Sequence, residues 1–262
     1  MLVSTQDLRG FHLKAEDGEI GKVLSFFFDD GTWTVRYIVV RTGRFMLGKE
    51  VLIAPESVRK VSLEEELLHV SLTAEKIKDS PDVDTRLPVS RQKELELFRH
   101  YGWVPYWHPP LTALDPGFAP MPPIPPAEEN GEIPGDQDPN LRDVEEVTGY
   151  RVGAADGQIG HVEGFLLDDR LWVLRYVIVD TRNWLPGGRK VLFPVEFLTG
   201  FSWEDRTAGT GLAIRQIQGS PEYDSSQAVT PEVEESLYKY YGQPGHWLQD
   251  GGDAPSDTGS GG

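Results

Sequence analysis

Cysteine is absent from the 262 residues, and that gap alone removes disulfides, thiolate nucleophiles and cysteine-ligated zinc or iron–sulfur centres. Long apolar runs are missing too, since no stretch approaches the roughly 18 apolar residues of a membrane helix. The N-terminus, Met1-Leu2-Val3-Ser4-Thr5-Gln6-Asp7, has no basic stretch leading into an apolar one, so no signal peptide is read there. A soluble, cytoplasmic protein is the expectation. Positive charge is scarce, with 25 Lys and Arg against 42 Asp and Glu and a net charge of −17. Nucleic-acid affinity comes largely from cations that neutralise phosphates, and no basic run is present, so direct DNA or RNA binding is not expected. The sign suits a basic protein partner, or solubility alone.

Catalytic and metal signatures are lacking as well. The histidines (His12, His69, His100, His108, His161 and His246) show no metal-ligand spacing. No nucleophile elbow, phosphate loop or dinucleotide fingerprint occurs. The expectation is a non-enzymatic protein with no catalytic residue, no cofactor and no metal.

What is present is a repeat. Asp17-Gly18-Glu19-Ile20-Gly21-Lys22-Val23 returns as Asp156-Gly157-Gln158-Ile159-Gly160-His161-Val162. Phe28-Asp29-Asp30 and Trp33-Thr34-Val35-Arg36-Tyr37 return as Leu167-Asp168-Asp169 and Trp172-Val173-Leu174-Arg175-Tyr176. Ser80-Pro81, Tyr101-Gly102 and Trp107 return as Ser220-Pro221, Tyr241-Gly242 and Trp247. Duplicate positions do not keep histidine: His12 faces Arg151, and His161 faces Lys22.

Within each copy, β-branched and aromatic residues alternate, and Trp33, Val35, Tyr37 and Val39 share one strand face. Five or six short strands separated by turns predict a small closed β-barrel in each copy. Helices follow at Ser90–Tyr101 and Thr230–Tyr241, with Gly102 and Gly242 as stops. Leu95, Phe98 and Tyr101 form one expected apolar stripe; Val233, Leu237, Tyr240 and Tyr241 form the other. The boundaries read as 1–107 for the first unit with its helix, 108–142 for a proline-rich acidic linker, 143–248 for the second unit with its helix, and 249–262 for a disordered Gly/Asp/Ser tail.

The paired carboxylates Asp29-Asp30 and Asp168-Asp169 are read as turn residues, because neighbouring side chains in a hairpin turn point apart. Arg36 and Arg175 are candidate interaction residues; the competing reading pairs each with a carboxylate across its hairpin, Asp30 or Asp169, while the arginine stems cover apolar surface. The aromatic tails supply the other candidates: Trp103, Tyr106 and Trp107 after the first helix, Tyr241 and Trp247 after the second. They serve either as latches onto the chain itself or as an adhesive patch for a partner.

These motifs, together with Leu8-Arg9-Gly10-Phe11 and Val35-Arg36-Tyr37-Ile38-Val39-Val40, resemble the PRC-barrel domain. That domain occurs in the cytoplasmic part of photosynthetic reaction-centre H subunits and in ribosome maturation factors of the RimM type. The resemblance covers roughly 4–107 and 143–247. It implies a mainly β fold of two small barrels, each with a short helix and an aromatic tail. Separately, the long linker permits the two barrels to pair intramolecularly as a pseudo-twofold dimer, and that pairing is the expectation. The implied role is protein interaction or assembly with an unidentified protein partner. A small-ligand or anion binder using an inter-barrel groove is the alternative, and a reaction-centre-related or stress-related structural protein is a further one. No counterpart of the H subunits' membrane helix or of the maturation factors' separate N-terminal domain is read in these 262 residues, so a departure from both is the expectation.

Overall fold

The computed structural model describes residues 1–43, 48–81, 91–103, 141–182 and 188–242. It is mainly β, as expected, and divides into two compact units. The first unit comprises Val3–Glu146 with Asp168–Leu174; the second comprises Met1–Leu2, Val147–Leu167 and Arg175–Gly262.

After β1 (Leu2–Ser4) and α1 (Thr5–Leu8), the first unit is built from β2 (His12–Ala15), β3 (Gly18–Asp29), β4 (Thr34–Thr42), β5 (Glu50–Ile53), β6 (Val58–Ser62) and β7 (Leu67–Val70). Their order in space is β6-β7-β2-β3-β4-β5, with β2 and β7 parallel and β8 (Leu141–Asp143) added on β3. β3 carries register shifts between Val23 and Ser25 and between Phe27 and Phe28. Each shift bends the strand, and the bent strands bring Phe26, Phe28, Tyr37, Ile38, Leu52 and Leu68 into a fully buried core.

The expected closure into a barrel is not met. Among the described residues β6 pairs only with β7 and β5 only with β4, and the sheet is open. A short 3-10 helix at Pro55–Ser57 turns the chain between β5 and β6. Proline offers no backbone N–H to continue a ladder there.

In the second unit, β9 (Arg151–Ala154), β10 (Gly157–Asp168), β11 (Val173–Asp180), β12 (Lys190–Pro194), β13 (Leu198–Ser202) and β14 (Thr207–Thr210) follow the order β13-β14-β9-β10-β11-β12. Phe165, Tyr176 and Phe193 are fully buried in its core.

The repeated Asp-Gly turns do more than reverse the chain. Asp17 Oδ1 accepts from the Ala74 amide at 2.7 Å and caps α2 (Ala74–Lys78). The copy repeats this: Asp156 Oδ1 accepts from the Ile214 amide at 2.7 Å at the start of α5 (Ile214–Gly219). Each Asp ties the β2–β3 turn, or its β9–β10 counterpart, to the helix that follows the last strand.

Both Trp33 and Trp172 depart from the expected strand face. They sit at the ends of their hairpin turns in the left-handed region, at φ 60 and 54, and the strands begin one residue later. Asp29 Oδ1 accepts from the amides of Gly31 and Thr32, and its carbonyl accepts from Trp33 at 2.6 Å. Asp168 repeats the arrangement with Arg170, Leu171 and Trp172. The five-residue turn uses up the tryptophan.

Gly21 and Gly160 are needed for close approach. A Cβ on Gly21 would lie 2.3 Å from the Arg41 carbonyl oxygen, and one on Gly160 would lie 2.4 Å from that of Asp180, at φ +67. Gly21→Ala is expected to cost about 1–3 kcal/mol through overpacking. Gly160→Ala should cost more, because a side chain there also strains the backbone. Urea titrations of the two variants check the order; equal midpoints to the parent would contradict it.

Candidate functional site

The helices following the sheets are held by a buried pair present in both units. In the first, Tyr37 of β4 donates its hydroxyl to Glu94 Oε1 of α3 (Arg91–Tyr101) at 2.6 Å, with Tyr37 1% and Glu94 0% exposed. In the second, after α4 (Val144–Val147), Tyr176 donates to Glu234 Oε1 of α6 (Pro231–Tyr241) at 2.8 Å. The packed helix faces are therefore Glu94-Leu97-Phe98-Tyr101 and Glu234-Leu237-Tyr238-Tyr241, at i, i+3, i+4 and i+7. This corrects the second expected stripe, since Val233 and Tyr240 are exposed. The side chain of Leu95 lies outside the described residues.

Burial pushes the Tyr176 phenol far up, with the Glu234 carboxylate adding to the shift. It also pushes Tyr101 and Tyr238 up to about 12 each. The Tyr176 phenol keeps its proton and donates it across the helix–sheet contact.

The described tail residues are folded onto their own units. Trp103 is half-buried, stacks on Tyr101 at 4.1 Å between ring centroids, and donates its indole N–H to Ser57 Oγ at 3.0 Å. Tyr241 donates its hydroxyl to the Leu192 carbonyl at 3.1 Å and lies 5.3 Å from the Phe197 ring. Tyr106, Trp107 and Trp247 lie outside the described residues.

Arg36 pairs with Asp29 Oδ2 at 3.1 Å, in place of the expected Asp30. Asp30 is engaged by Arg142 Nε at 2.9 Å. Arg175, half-buried on β11, lies near enough to Tyr238 to act on its charge. Among the described residues no cluster of three His, Asp or Glu side chains could hold a metal.

Two concavities among the described residues bear on function. One, in the second unit, has a volume of about 710 Å3 and is flanked by Arg182, Arg189 and Lys190. All three cations are committed. Arg182 grips Asp180 at 2.5 Å, Arg189 donates to the carbonyls of Gln218 and Ser220, and Lys190 pairs with Glu163 at 2.6 Å. The Arg182 hydrogen bonds hold the Asp180 carboxyl below its ordinary range. A depressed folded-state value adds stability above the ordinary value, and that stability is lost as pH falls through the folded one. Asp180→Asn should therefore melt below the parent at neutral pH, with the gap closing in acid; thermal melts across pH check this, and a gap that widens in acid would contradict it.

The other concavity lies within the first unit and has a volume of about 630 Å3. Its apolar lining comes from Val35, Ala54, Phe98 and Trp172. The cations at its surface are Arg36, Arg59, Lys60 and Arg170, against two carboxylates, Glu56 and Asp169. Partial burial raises the Glu56 pKa. Arg59 makes only a 3.4 Å contact to Glu16. Among the described residues the Lys60 and Arg170 side chains have no carboxylate within ion-pair distance. Leu171, beside them, is 57% exposed.

Charge separates the two copies here. β6 and β13 match residue for residue, as do the hairpin turns, so Arg59, Lys60, Arg170 and Leu171 correspond to Thr199, Gly200, Gly31 and Thr32. Glu56 and Arg36, by contrast, keep their types as Glu196 and Arg175. The cations are thus not required by the fold. Reading each copy alone hid this difference, and lining up the two copies for charge would have exposed it. Set beside protein-family models and curated proteins, the chain matches none.

Proposed function

We propose that this chain is a non-enzymatic assembly module of the PRC-barrel type, with two like β units, one of which carries the docking surface for a protein partner. The observation that carries the reading is the asymmetry at the first unit's cavity. Elsewhere the candidate polar groups are spent on internal fastening, and spent the same way in both copies: Tyr37–Glu94 and Tyr176–Glu234, Asp17 and Asp156 on helix amides, Asp29 and Asp168 in turns. At this cavity the first unit gathers exposed cations and an exposed leucine whose matching positions in the repeat are Thr199, Gly200, Gly31 and Thr32.

A small anionic ligand is the second reading, favoured by the volume of about 630 Å3, which falls in the range of small-molecule sites. Affinity purification of the tagged full chain from its native host, after mild crosslinking, tests the first reading. A protein companion in stoichiometric amount is expected. Recovery of the chain alone, with a small molecule co-eluting, would overturn it.

A further inference from the structure

The cavity of the first unit lies at a seam between β4 and β6. Thr34, Val35, Arg36 and Tyr37 of β4 line it consecutively, and so do Val58, Arg59, Lys60 and Val61 of β6. Alternate side chains of a strand point to opposite faces, so four successive residues line one cavity only where it meets the strand along its edge. On β4 the pairing with β5 begins at Ile38. Below that point Val173 is matched to Thr34, with the Val35 amide donating to the Trp172 carbonyl at 2.7 Å. On β6, the terminal strand of the order, the edge away from β7 has no strand partner among the described residues.

We propose that this seam binds an extended acidic peptide segment of the partner protein, which pairs along β6 and sets an apolar side chain against Trp172, Phe98 and Leu171. The inference rests on the assembly reading above and names the chemistry of its partner. An open strand edge supplies backbone hydrogen bonds to any extended chain, and the flanking side chains select which one. Here the selection is for carboxylates. Lys60 and Arg59 stand on the strand that receives the peptide, and Arg170 stands on the hairpin tip across the gap.

The local sign opposes the net charge of −17. An acidic segment is repelled by the chain as a whole and attracted at this place, which favours one docking site over the rest of the surface.

Cations on an edge strand also serve to discourage edge-to-edge aggregation. That explanation does not account for Arg170, which is on a different element. Nor does it fit β13, the matching end strand, which has the same register shift and carries Thr199 and Gly200 instead.

Fluorescence anisotropy on the full chain tests the proposal, using a labelled peptide of alternating Glu and Leu and a control with Lys in place of Glu. Saturable binding of the acidic peptide alone is expected, weakening by about tenfold or more in the Lys60→Glu/Arg170→Glu variant. It should also weaken as salt rises from about 0.05 to 0.3 M. The Thr199→Glu/Thr32→Glu variant, at the positions that match Arg59 and Leu171, should bind like the parent, and circular dichroism melts confirm that both variants fold. Equal binding of both peptides, or equal loss in both variants, would overturn the proposal. So would absence of peptide binding while inorganic phosphate or glutarate binds saturably, which would make the cavity a small-anion site. If the peptide fails and the purified chain still brings a stoichiometric companion, the assembly reading stands and the assignment of this surface falls.

Discussion

Alanine at Tyr37 will lower the stability of the first unit by about 3–5 kcal/mol, the usual loss for a truncated core aromatic. The ring is 1% exposed and its hydroxyl meets Glu94, itself 0% exposed, at 2.6 Å. Two losses add: the cavity left by the ring, and the removal of the donor from a buried carboxyl oxygen. Tyr37→Phe isolates the second loss and should cost about 1–3 kcal/mol, the desolvation penalty of a buried polar atom whose partner has been removed. Glu94→Gln keeps an acceptor for the hydroxyl and should be milder than Glu94→Ala. Urea denaturation of these variants, read as a double-mutant cycle, gives the coupling directly. Additive effects within about 0.5 kcal/mol would mean that the pair does not fasten helix to sheet. Tyr176→Phe should behave alike in the second unit, where Glu234 is only half-buried and the cost correspondingly smaller.

Trp172→Ala will also cost about 3–5 kcal/mol, and the damage will register in the first unit. Trp172 is 8% exposed, lies 6.4 Å from the Phe26 ring, and belongs with Asp168–Leu174 to the unit of the first copy. Hydrogen exchange should accelerate at Val35, whose amide donates to the Trp172 carbonyl. Trp172→Gly separates packing from backbone. It loses the same contacts, yet relieves a left-handed conformation that costs a side-chain-bearing residue about 1–2 kcal/mol, so it should melt above the alanine variant. Trp33→Ala should cost less, since Trp33 is half-buried and stacked on Phe28 at 5.8 Å. Unchanged melting of Trp172→Ala would remove this tryptophan from the core of the unit.

The strands were legible from Val35 to Val40 and from Leu174 to Val179 because β-branched and aromatic residues are dense there, and from Tyr37 and from Tyr176 onward every residue of those runs is buried. The tryptophans were misplaced because the alternating pattern runs without a visible break into a five-residue turn. A left-handed residue at its end is expected to be glycine or asparagine; here packing against Phe28 and Phe26 holds tryptophan in that conformation. Glu94 and Glu234 escaped notice because a carboxylate on a helix reads as solvent-facing, and only the tyrosine across the interface reveals that each faces inward. Closure was overread for a related reason. Counting strands shows how many edges exist and not whether the last two meet, and Pro55 with its 3-10 turn leaves them apart. The cationic cavity was hidden by the bulk composition: a net charge of −17 suggests a basic partner, while Arg59, Lys60 and Arg170 come from separate elements and gather only in the fold.

The central claim is that one concavity, in one of the two copies, docks a protein partner. A photo-crosslinking amino acid placed at Leu171 in the native host tests it most directly, with the same group at the matching Thr32 as reference. The account predicts that Leu171 traps one dominant protein, that the trapped peptide is rich in Asp and Glu, and that Thr32 does not trap it. Identical trapping at both positions, or no trapped protein at Leu171, would contradict it.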